Sequence, residues 1–84
     1  MRYRTQLRDV VAEVIRDGMD QAAASRHVHD YATLNVAETD RASFIEAAET
    51  ELLSLHEGNF ARYGVRPSEY QAWREVWEHK AEAE

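Results

Sequence analysis

The chain of 84 residues contains no cysteine, one proline, three glycines and a single lysine. Each shortage closes something off. Without cysteine there are no disulfides, iron–sulfur clusters or thiolate zinc sites, and the chain has no need of an oxidising compartment. With so little glycine and proline, a helix, once begun, meets few interruptions. There is no apolar run of about 18 residues, the length that reads as a membrane helix. The opening MRYRTQLRDVVAEV breaks any signal-like apolar region with Arg8, Asp9 and Glu13, so neither a span nor a leader is expected and the cytoplasm is the default location. Catalytic patterns are missing too. No HExxH, ExxH, glycine-rich phosphate loop or nucleophile motif occurs, so no enzyme, cofactor or metal site is expected.

Large aliphatic side chains are also scarce. Leu, Ile, Val and Phe together number 16, against thirteen alanines, which puts the chain near the level where a packed core comes into question. Alanine favours helix but buries little area. A single small domain of this kind is expected to find missing apolar area in a partner or a second copy of itself, and a homodimer is the leading form of that expectation. Nine arginines stand against one lysine, a usage expected of a GC-rich bacterial genome or its phages and plasmids.

The net charge of -6 is unevenly spread. Residues 1–35 carry five arginines and five carboxylates, whereas residues 36–84 carry five basic and eleven acidic groups. The second part therefore holds the whole excess, a sign that repels phosphate backbones.

Periodicity divides the chain into helices and makes the fold class all-α, a single domain of three main helices plus one short one. Helices are predicted at roughly 4–17, 20–34, 40–57, 59–63 and 67–81. In the first, Leu7, Val10, Val11, Val14 and Ile15 recur at helical spacing opposite Arg8, Asp9, Glu13 and Arg16. Gly18 is placed to end it and Asp20 to cap the next. The second has only a weak apolar stripe of Ala24, Val28, Tyr31 and Ala32, with Leu34 near its end. The third repeats Ile45, Ala48, Leu52 and Leu55, flanked by Phe44 and Leu53, and Ser43 with Glu46 has the spacing of a capping box. Gly58 is expected to end it, Asn59 to cap a short helix that Gly64 stops, and Pro67 to open the last.

From Phe60 onward, FARYGVRPSEYQAW resembles the helix-turn-helix segment of transcription factors and transposases: a turn glycine at Gly64, apolar Val65 after it, Pro67 opening a helix, and Tyr70 and Trp73 at inward positions. The resemblance covers Glu57 to Trp73. It implies a dimeric DNA-binding regulator with Arg62, Arg66 and Arg74 on phosphates. The position four residues before the turn glycine, small in that family because the second helix crosses closely there, is Phe60; the alanine falls one step later, at Ala61. The last helix carries Glu69, Glu75, Glu78, Glu82 and Glu84 against Arg74 and Lys80, which opposes insertion into a groove of DNA.

The preferred reading is therefore a noncatalytic, self-associating protein-interaction module. Its expected partner interface is Phe60, Tyr63, Tyr70, Trp73 and Trp77, because tyrosine and tryptophan are frequent interface anchors. The competing reading is that these same rings hold the last helix to the rest of the domain. A third alternative is a small acidic phage or plasmid inhibitor that occupies a nucleic-acid site on a host protein. His27 and His29 sit two residues apart, about 200° around a helix, and so do not converge on one ion. His56 and His79 read as end-of-helix residues.

Overall fold

A computed structural model describes residues 3–55 and 60–83, with side chains as far as Glu78. Gly58, Asn59 and His56, to which the sequence assigned helix-end roles, lie outside the described residues, as does the side chain of His79. The fold is all-α, with no strand among the described residues. It comprises α1 (Arg4–Arg16), α2 (Gln21–Asn35), α3 (Arg41–Ser54) and α4 (Pro67–Ala83), with 3-10 turns at Glu38–Asp40 and Phe60–Tyr63. The molecule measures 35 × 28 × 18 Å, its thinnest dimension being less than two helix diameters.

Helix α1 is the central element, packed against α2, α3 and α4. Leu7, Val10, Val11, Val14 and Ile15 are all buried, as their spacing requires, and Ala12 joins them. Val10, Val11 and Val14 have no exposed surface; each contributes about 1.5–3 kcal/mol by leaving water. The helix ends in a Schellman turn. Gly18 takes φ +61°, its N–H donates to the Ile15 carbonyl at 3.1 Å, and that of Met19 donates to Val14 at 3.1 Å. Asp20 then caps α2 by accepting from the Ala23 N–H at 2.9 Å.

Helix α2, whose sequence stripe is weak, does have a buried face: Ala24, Val28 and Ala32 at intervals of four. It is narrow because two of its three members are alanines, which let a neighbouring helix approach closely. Tyr31 is half-buried, stacked on Phe44 with centroids 5.9 Å apart, and Tyr3 meets the same ring edge-on at 5.4 Å. Phe44 thus ties α3 to α2 and to the start of α1.

Three features of α3 differ from expectation. The inward stripe begins at Phe44 and runs through Ala48, Leu52 and Leu55, with Ile45 only half-buried. The capping box does not form: Asp40 is the cap residue and makes no side-chain bond, while the Ser43 hydroxyl donates to the Asp40 carbonyl at 3.1 Å and accepts from Tyr3 at 3.2 Å. The helix starts at Arg41, directly after the 3-10 turn, so Ser43 is already inside its first turn and is not a cap. The helix also stops at Ser54, short of the predicted 57, since Leu55 turns extended (φ -70°, ψ 133°) to bury its side chain.

Three arginines hold chain ends in place. Arg41 donates to the carbonyls of Val36 and Thr33, both at 3.1 Å, and so closes the C-terminus of α2. Arg16 donates to Gly64 at 3.0 Å, and Arg74 to Leu55 at 2.8 Å. Pro67 is the first residue of α4, with the Glu69 carboxylate accepting the Arg66 N–H at 2.8 Å.

Candidate functional site

Four of the five rings expected to meet a partner, Phe60, Tyr70, Trp73 and Trp77, form a row within the chain. Trp73 has no exposed surface, Tyr63 and Tyr70 are buried, Trp77 is 9% exposed and Phe60 is half-buried. Phe60 stacks on Tyr70 at 4.4 Å, Tyr70 tilts against Trp73 at 6.0 Å, and Trp73 meets Trp77 at 5.0 Å. Tyr63, Tyr70 and Trp73, assigned above to a partner interface, are buried within the chain, where they supply area that the aliphatic residues lack. The Trp73 indole N–H has no hydrogen-bond partner among the described residues, which costs about 1–3 kcal/mol. Tyr63 donates to the Glu51 carboxylate at 2.5 Å. Burial, and then this bond to an anion, pushes its hydroxyl up to about 12. Burial likewise raises Tyr31, assisted by the charges of Asp9 and Glu13.

The segment resembling a helix-turn-helix has a 3-10 turn, Phe60–Tyr63, where that motif has its first helix. Arg62 and Arg66 are exposed. Arg74 is half-buried and committed, since it holds the Leu55 carbonyl and also pairs with Glu78 at 2.7 Å. Of the three, Arg74 is thus engaged within the chain. His27 bonds Glu13 of α1 at 2.7 Å, whereas His29 bonds the Ser25 carbonyl of its own helix at 2.8 Å. Among the described residues no group of three or more acidic or histidine side chains is placed to hold a metal ion. No described helix is long and apolar enough to cross a membrane.

What the tertiary structure builds is a groove of about 240 Å³ where α2, α3 and α4 meet. Its floor consists of the buried side chains Ala24, Val28, Leu52 and Trp77, and its rim of Gln21, Ser25, Glu49 and Leu53. The small residues Ala24 and Ser25 leave the space, and the second tryptophan of α4 closes the bottom. Leu53 is 70% exposed on the rim. Leu52 and Leu53 are adjacent and so point about 100° apart, and here Leu52 turns inward while Leu53 stays outside. A second, shallower depression lies on the other flank of α3, between Leu7 and Thr50, and contains Glu46 and Glu51. No family model, curated protein or solved structure matches this chain.

Proposed function

We propose that the protein is a noncatalytic protein-interaction module of bacterial or mobile-element type, acting in the cytoplasm, and that its docking face is the groove between α2, α3 and α4. The observation that carries this reading is Leu53, exposed beside a floor of Leu52 and Trp77. An apolar depression with a leucine at its lip takes a large apolar side chain from another molecule and covers the leucine in doing so. The groove has room for one or two such side chains. It carries no set of groups capable of acid–base or nucleophilic chemistry, since Glu49 is the one titratable side chain among the described lining residues.

Self-association is a second form of the same reading, favoured by the presence of a leucine-sized projection and a recess on one face, which a two-fold axis would pair with each other. The test is mass by light scattering from micromolar to millimolar protein, together with cross-linking from a photoreactive residue placed at Gln21. Either a dimer or a single identified adduct is expected, and Leu53→Gln should remove it without altering helix content. A chain that stays monomeric and gives no adduct that depends on Leu53 would refute the proposal.

A further inference from the structure

The outward ridge of α3 runs Ala42, Glu46, Glu49 and Leu53, spaced by four, three and four residues, and all four are exposed. It separates the two depressions. Every charged side chain lining either one, among the described residues, is a glutamate: Glu49 in the groove, Glu46 and Glu51 in its neighbour. Of the cations on α2, α3 and α4, those whose side chains are described are directed away from the groove. Arg41 is held by the carbonyls of Val36 and Thr33, and Arg74 by Leu55 and Glu78. Arg26 lies on α2 roughly opposite the Gln21, Ala24, Ser25 and Val28 face that lines the groove. Among the described residues, the charge lining the groove beside the exposed leucine is thus negative.

Resting on the reading of the groove as a docking face, we infer that its occupant is a basic amphipathic helix of another protein, with a large apolar side chain in the groove and lysine or arginine one turn away on the α3 ridge. Helix-in-groove recognition places anchors at intervals of three or four. The ridge repeats at the same intervals, so a helix laid along α3 sets its cations over Glu46 and Glu49 while its anchor meets Leu53 and Trp77. Charge decides against the other occupants. A second copy brings a patch of the same negative sign against itself. An acidic peptide or a nucleic acid meets the same repulsion.

The probe is a synthetic leucine–lysine amphipathic helix without tryptophan, compared with its leucine–glutamate counterpart. Binding is followed by the emission of Trp73 and Trp77 and by light scattering. Saturable one-to-one binding of the basic peptide is expected, with little or none of the acidic one. Leu53→Gln and the double reversal Glu46→Lys with Glu49→Lys should each weaken it by about tenfold, in line with one lost anchor or two reversed ion pairs. Leu34→Gln, at a still more exposed leucine near the end of α2, and Glu38→Lys, a carboxylate off the ridge, should leave it within about twofold. Circular dichroism confirms the fold of each variant. Equal binding of the two peptides, or indifference to the double reversal, overturns the inference. A dimer that dissociates in Leu53→Gln, with no peptide bound, overturns the basic-helix occupant and keeps the docking face. Neither dimer nor binding sinks both.

Discussion

Replacing Tyr63 by Phe tests the alkaline behaviour of the fold at a single atom. The ring is buried and stays in place, so the change removes the hydroxyl and its 2.5 Å bond to Glu51 and little else. Hydrogen bonds to charged groups are worth about 1.5–3 kcal/mol. Glu51 is half-buried and regains water when the bond is lost, which places the expected cost near the low end, about 1.5 kcal/mol at neutral pH. For a chain of this size that corresponds to a fall in Tm of about 6–12 °C. The pH dependence follows from the hydroxyl being raised to about 12 from 10.0. The folded state holds this proton more tightly than the unfolded state does, so the stabilisation is fully present below pH 10 and is lost as pH rises from 10 to about 12. Urea unfolding of the two proteins at stepped pH, with tyrosinate absorbance recorded alongside, should show their difference shrinking across that window, and a late-ionising tyrosine signal that Tyr63→Phe removes. Equal stability at neutral pH, or a difference that stays constant through the window, would refute the assignment.

Arg74→Met should cost about 1–3 kcal/mol by leaving the Leu55 carbonyl without its donor, whereas Arg62→Ala, on the exposed surface, should change stability by no more than about 0.5 kcal/mol; equal effects in chemical denaturation would mean that Arg74 is not a structural staple. Gly18→Ala should destabilise by about 1–2 kcal/mol, although a Cβ there meets open space, because the residue sits at φ +61°; a neutral result would show that the turn relaxes freely. His27→Gln should cost less than about 1 kcal/mol, since its contact with Glu13 is part-exposed, and zinc should leave the melting curves of both proteins unchanged.

The sequence alone determined what depends on residues within a turn or two of one another. The inward face of α1, the Schellman turn at Gly18, the cap at Asp20 and the opening of α4 at Pro67 were all legible, because helical periodicity and end-capping are local. Where the apolar pattern is ambiguous, only the neighbours decide. Phe44 and Ile45 are adjacent, and Phe44 is the one buried because Tyr3 and Tyr31 close around it. Leu52 faces inward and Leu53 outward for the same kind of reason, and the groove beside them is built from three helices that no single stretch of sequence contains. The capping box failed because the helix begins at Arg41, which leaves Ser43 inside the first turn and not at the cap. The aromatic row was visible as a set of large rings, but their role was not, since tryptophan and tyrosine have the same chemistry in a core as at an interface. The tertiary structure decided that they serve the core, because packing against α1 and one another was the way for a chain short of aliphatic area to bury enough of itself.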